Sequence, residues 1–343
     1  DARRWFEKTL QSAPSHIAAR NNLGNVLQQL DDPEGAEACF KEVLRQNPGL
    51  AEPHYNLGNI YRLKKEHPQA AHYYRQAIER KPDFAPAYLE MGRVCLAEQK
   101  NTAAEKYVRQ AIRLDKTSAE AFATLGNLYL KEGRIEEAVP LFLKSISLQS
   151  DVAEVHASLG TAYCIRGANT QAKASLEKAI ELDPENTHAR FQYASLMEST
   201  GNKEKALEAY RYAMDRAPEN ATQIFYYLFQ LEIKLGILNN YNEKVKELVE
   251  RTETYLNEED ANFDLSPLIL NYFPVPEHLH RQVAEKRSAL IEKTMGAVKQ
   301  RLIFTYPETI DQRIRIGYIS PDFREHAVGI VINDIFRHHD RDR

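Results

Sequence analysis

Hydrophobic and polar positions recur along this chain with a period of 34 residues, in blocks beginning at Ile17, Ala51, Ala85, Ala119, Ala153 and Thr187. Laying Asn21–Pro48 over Tyr55–Pro82 puts Asn-Leu-Gly in the sixth to eighth slots of both blocks. The first half of each block carries apolar residues at spacings of three and four, as at Phe122, Leu125, Gly126 and Tyr129. That spacing predicts a helix with one buried stripe. The eighth slot is small throughout: Gly24, Gly58, Gly92, Gly126, Gly160 and Ala194. A glycine inside a helix costs roughly 1 kcal/mol relative to alanine. Its return at one helical phase therefore predicts a close helix crossing that a larger side chain would block.

The second half of each block predicts a second helix. Slot 20 is alanine (Ala36, Ala70, Ala104, Ala138, Ala172, Ala206), and four residues on stands a bulky residue (Phe40, Tyr74, Val108, Phe142, Leu176, Tyr210). Slot 32 holds Pro48, Pro82, Pro184 and Pro218, which end a helix because proline lacks the amide and restricts the residue before it. Lys116 and Ser150 occupy that slot in the other two blocks and weaken the stop.

These features resemble the tetratricopeptide-repeat family, over residues 1 to about 220. The resemblance implies an all-α fold, a right-handed superhelix of stacked helical hairpins (an α-α solenoid), with six repeats over 17–220. Residues 1–16 fit the second helix of an earlier repeat, with Ala2, Phe6 and Pro14 in slots 20, 24 and 32, so the chain is expected to begin in mid-repeat and to derive from a longer protein. Over 221–256 the pattern decays into a divergent helical repeat, with Leu228 where a small residue is expected. Residues 257–311 form a linker: an acidic loop (NEEDANFDLS), the apolar stretch PLILNYF, and a helix predicted from Pro276 to about Gln300.

From 312 to 343 the pattern changes. RIRIGYIS (Arg313–Ser320) predicts a strand, followed by a tight loop and the helix opening of HAVGIVINDIFRHH, an incomplete first β-α unit of a doubly wound sheet. Joined to the repeats, RIRIGYISPDFREHAVG resembles the start of the catalytic region in the SPINDLY and O-GlcNAc transferase family of protein glycosyltransferases, with Asp322, Phe323 and His326 in the motif positions. The resemblance implies that His326 lines the active site of an intact parent enzyme, that the parent uses a UDP-sugar donor by default, with a GDP-sugar as the alternative within the same fold, and that the repeats recruit acceptor proteins. A chain ending at Arg343 lacks the second lobe and most of the first, so this fragment is expected to be inactive and to hold no cofactor of its own. The alternative is a stand-alone interaction scaffold without enzymatic activity. The orphan strand is also expected to invite self-association, because a bare edge seeks a partner.

Composition narrows the partners. Lys and Arg number 45 against 49 Asp and Glu, a net charge of −4, which argues against a nucleic-acid binder needing a clustered basic excess. Three cysteines without CxxC spacing (Cys39, Cys95, Cys164) read as core fillers in a reducing compartment, predicting a cytoplasmic protein, or a nuclear one in a eukaryote. No apolar run approaches the ~20 residues that cross a bilayer, and the opening residues lack the apolar core of a signal peptide. His278 with His280, and His338 with His339, lack the companion ligands of a metal site, and no metal is expected.

Asparagine is the informative polar residue. Asn22 and Asn25, Asn56 and Asn59, and Asn127 fall in slots six and nine of the first helices, on the face opposite the buried stripe. In tetratricopeptide arrays that face lines the inside of the superhelix. A side-chain amide both donates and accepts, which suits it to clamp the main chain of an extended peptide. The series is interrupted, since Glu90, Thr124, Ser158 and Gln192 take slot six in the later blocks. A clamp for an acidic C-terminus would need cations here; Arg93 and Lys131 are opposed by Glu52, Glu90, Glu120 and Glu154.

Overall fold

The computed structural model describes residues 2–216, 221–257 and 273–299, with side chains at all of these except 221 and 290–299. The described residues form sixteen helices and no strand. A lone helix α1 (Ala2–Ser12) precedes six hairpins: α2 (Ile17–Gln29) with α3 (Pro33–Gln46), α4 (Ala51–Leu63) with α5 (His67–Arg80), α6 (Ala85–Ala97) with α7 (Asn101–Leu114), α8 (Ala119–Lys131) with α9 (Ile135–Leu148), α10 (Ala153–Arg166) with α11 (Asn169–Leu182), and α12 (Thr187–Ser199) with α13 (Lys203–Arg216). A seventh pair follows, α14 (Ala221–Lys234) and α15 (Tyr241–Asn257), and then α16 (Glu277–Lys299). The chain divides into two compact units, Asp1–His280 and Arg281–Arg343. In the first, consecutive helices pack on one another from α1 to α15, and along the first-helix layer α4, α6, α8 and α10 each pack on the next first helix, the arrangement of an α-solenoid. The second is described as far as Lys299, all of it helical.

Every first helix starts at the first residue of its block and every second helix ends at slot 30. The stop does not depend on proline. In the third block the Asp115 carboxylate accepts from the Thr117 amide at 2.8 Å, an Asx turn that Asn47 and Asp183 form equally in blocks that carry the proline. In the fourth, the Ser150 carbonyl lies 2.9 Å from His156 Nε2.

The small slot and the bulky slot meet within each hairpin. A methyl group at Gly58 would stand 2.5 Å from Cε1 of Tyr74, and one at Gly126 2.8 Å from Cε1 of Phe142. Gly24 against Phe40, Gly92 against Val108 and Gly160 against Leu176 repeat the contact. Those partners, with the slot-20 alanines, are fully buried and form the core of each repeat.

The corner between the two helices is closed by a residue in the left-handed region at slot 15 in every repeat. Asp31, Lys65 and Gln99 take it with φ of 58°, 60° and 59°, and glycine takes it at 133, 167 and 201. A side chain there costs roughly 1–2 kcal/mol, so the first three corners carry strain that the last three avoid. Pro140 is a second local conflict: it lies inside α9, where its ring removes one helical hydrogen bond.

In the divergent pair, the small slot is filled by Leu228, which is half-buried against the core of the preceding repeats. Aromatic packing takes over between the helices. Phe229 faces Tyr241 at 5.7 Å and stacks on Phe273 at 4.9 Å. The Tyr226 hydroxyl lies 2.6 Å from Thr252 Oγ1, and since Thr252 donates to the Leu248 carbonyl, Tyr226 is the donor to Thr252. Burial pushes the Tyr226 phenol up to about 12. Glu232, almost wholly buried, is bound by Arg211 from α13 and Lys244 from α15. The helix expected from Pro276 is α16, beginning one residue later. The strand at Arg313–Ser320, the following helix opening and the linker residues 258–272 lie outside the described residues.

Candidate functional site

The first helices present slots 2, 6, 9 and 13 away from the hairpin core. At the N-terminal end of this face two of the predicted asparagines are joined across a repeat boundary: Asn56 Nδ2 donates to Asn25 Oδ1 at 2.9 Å. The bond links slot six of one repeat to slot nine of the repeat before it. It leaves the Asn25 amide donor and the Asn56 carbonyl outside that bond, an alternation that matches a peptide main chain. Asn59 is committed differently, its Oδ1 accepting from the Tyr74 hydroxyl at 2.8 Å. Burial pushes the Tyr74 phenol up, so it stays a donor. Asn22 and Asn127 are exposed on the same slots. Asn127 is separated from the other asparagines by the third repeat.

In that third repeat the ladder position is taken by Arg93. Its guanidinium bonds Glu90 at 2.7 Å and also Glu120 of the next repeat. Arg62, from the second repeat, approaches the other Glu90 oxygen at 2.9 Å. The cations that a clamp for an acidic C-terminus would need are therefore already engaged by this chain's own carboxylates, with Lys131 alone of the two predicted ones left exposed. His326, Asp322 and Phe323 lie outside the described residues. Cys39 and Cys95 are buried and Cys164 half-buried, all as free thiols; burial pushes each of them up.

A polar device missed in the sequence lies between repeats. Tyr61 in slot 11 of the second repeat donates to Glu37 of the first at 2.7 Å, and Glu37 also binds Lys41 and Lys64 at 2.6 and 2.8 Å. Burial pushes the Glu37 carboxyl up, but these three donors outweigh it and hold it down at about 2. The same clasp joins the third and fourth repeats: Tyr129 donates to Glu105 at 2.6 Å, with Arg109 and Arg134 on the same carboxylate. Tyr129 first, then Arg109 and Arg134, lower the Glu105 carboxyl. The signal in the sequence is a glutamate followed 24 residues later by a tyrosine, in two places one double period apart.

A protein-family model for the cilia and flagella-associated protein 70 C-terminal domain, a tetratricopeptide-repeat region, matches residues 2–224. The chain belongs to this tetratricopeptide-repeat family. No curated protein matches it. Among solved structures, tetratricopeptide folds recur. PilF from Pseudomonas aeruginosa is 20% identical, with a TM-score of 0.54, over 61% of this chain and 93% of its own. PilW, a type IV pilus biogenesis factor, is 19% identical with a TM-score of 0.54, covering 60% and 94%. The Cut9–Hcn1 hetero-tetramer of the APC/C is 13% identical with a TM-score of 0.58, covering 81% of this chain and 51% of that one. At these identities the likeness is one of fold, and it places the tetratricopeptide hairpins described above among known solenoids. Among the described residues of this tetratricopeptide protein, no helix is long and apolar enough to cross a membrane.

Proposed function

We propose that the first-helix face is a groove that holds an extended polypeptide through its main chain, making this chain a protein-interaction scaffold of the tetratricopeptide type. The amide-to-amide bond between Asn25 and Asn56 carries the proposal. It fixes two side chains in a mutual orientation at little further entropic cost, so that binding a guest does not have to order them. Each guest hydrogen bond is worth about 0.5–1.5 kcal/mol net, so affinity rises by adding rungs and sequence preference stays low. Exposed Asn22 would extend the row at its N-terminal side, and exposed Asn127 would offer a further amide beyond the Arg93 repeat.

The test compares Asn25→Ala/Asn56→Ala and Asn22→Ala/Asn127→Ala with the parent, using a fluorescein-labelled pool of random dodecapeptides and anisotropy. Loss of two such bonds is expected to weaken binding by ~5-fold or more. Unchanged affinity in both variants, with helical content intact, rejects the groove.

A glycosyltransferase parent with His326 at its active site and a UDP-sugar donor is supported by the C-terminal motif alone. On that footing the groove would deliver acceptor segments to a catalytic region beyond the repeats. Without it the same groove serves a scaffold, and the asparagine chemistry is identical in both cases.

A further inference from the structure

On the first-helix face, where the third repeat meets the fourth, a recess of about 100 Å³ opens. Its walls are apolar: Tyr55 from α4 and Ala85 and Leu89 from α6. Its charged lining is acidic, Glu90, Asp115 and Glu120, with the Ser118 hydroxyl beside them. Two guanidiniums, Arg62 and Arg93, reach these carboxylates, so the three anions outnumber the cations by one. Glu90 is only 6% exposed, and its Oε2, although 2.9 Å from Arg62 Nε, is not aligned with it. Both atoms are buried without a hydrogen bond. Glu90 is thus held between two guanidiniums, and among the described residues Asp115 is the lining carboxylate without an ion pair, its Oδ1 accepting from the Thr117 amide and hydroxyl. Asp115 caps the C-terminal end of α7, whose last carbonyls add partial negative charge.

Resting on the groove reading above, we propose that this recess receives a lysine side chain of the bound polypeptide. The methylene stem lies along Tyr55 and Leu89, and the ammonium supplies the missing positive charge beside Glu90, Asp115 and Glu120. A lysine brings a single compact charge on an apolar stem, which matches the one-charge excess and the apolar walls. The recess adds a side-chain preference to the sequence-tolerant amide rung, two repeats further along the same face.

The test uses the full chain with methyl-labelled alanine and leucine, titrated in separate NMR experiments with Nα-acetyl-lysine methylamide and its norleucine and glutamate counterparts. The lysine compound is expected to shift the Ala85 and Leu89 methyls at least tenfold more readily than norleucine. Glu120→Gln, which keeps the side chain's size at an exposed position, is expected to weaken the lysine response several-fold. Equal response to norleucine, preference for glutamate, or no shift with the lysine compound overturns the proposal. These small probes do not span the Asn25–Asn56 rung. Loss of the dodecapeptide effect with the lysine shifts retained would reject the groove alone, and the converse would reject the recess alone.

Discussion

A methyl group at Gly58 sets two effects against each other. Helix propensity favours alanine by ~1 kcal/mol, while forcing a methyl into a packed core costs ~1–3 kcal/mol. Tyr74, the ring it would strike at 2.5 Å, is fully buried and tethered by its hydroxyl to Asn59. It has nowhere to swing, so overpacking wins. Gly58→Ala is expected to lower stability by ~1 kcal/mol, seen as a lower urea midpoint; a midpoint unchanged or raised would show that the ring yields. In the sixth repeat Ala194 already occupies the slot, buried in the same core cluster as Tyr210. Both members of the contact were visible in the sequence as a small residue and a bulky one sixteen positions on. That they touch was not visible, because the pairing depends on how the hairpin crosses.

Helix limits were the most legible feature: block starts coincide with helix starts, and the proline-free stops at Lys116 and Ser150 hold as well as the others. The clasps between hairpins were not legible, because a hydrogen bond over 24 residues leaves no local periodicity. Glu37 tests their contribution. Its folded pKa of about 2 is below the ordinary 4.5, so its stabilisation is complete above about pH 4.5 and is lost as the pH falls from there toward 2. Glu37→Gln is expected to cost ~1 kcal/mol at neutral pH, the scale of a charge-assisted bond shared with partly exposed lysines. Urea unfolding of parent and variant at a series of pH values should show the gap closing through that window. A gap independent of pH would mean the carboxylate charge is not what the clasp uses.

Over the entire array, stability is a sum of hairpin terms and neighbour contacts, and the two are not evenly distributed. Helix α1 buries no residue, whereas α6, α8 and α10 are buried along their length. Hydrogen exchange is expected to be at least ~100-fold faster in α1 than in α8 and α10; similar protection throughout would point to a single cooperative unit. The asparagine face was legible as a row of amides, but its internal bonds were not: amide pairs and the Arg93 cluster depend on which slots neighbouring repeats bring together. Likewise Phe273, in the sequence one aromatic of PLILNYF, has its place on Phe229 through a contact between distant parts of the chain.

The lock between the small slot and its facing ring closes inside one hairpin, whereas the tyrosine clasps straddle the boundaries between the first and second and the third and fourth repeats, and Tyr212 with Arg216 on Glu185 bridges the fifth and sixth. The locks thus belong to single hairpins, and the tyrosine clasps to pairs of them. A graft made between the fourth and fifth repeats severs no clasp; the ion pair it would break, Arg166 with Glu136 at 3.3 Å, is largely in water. That seam is the natural place to shorten or lengthen the array while leaving the amide rung and the acidic recess untouched.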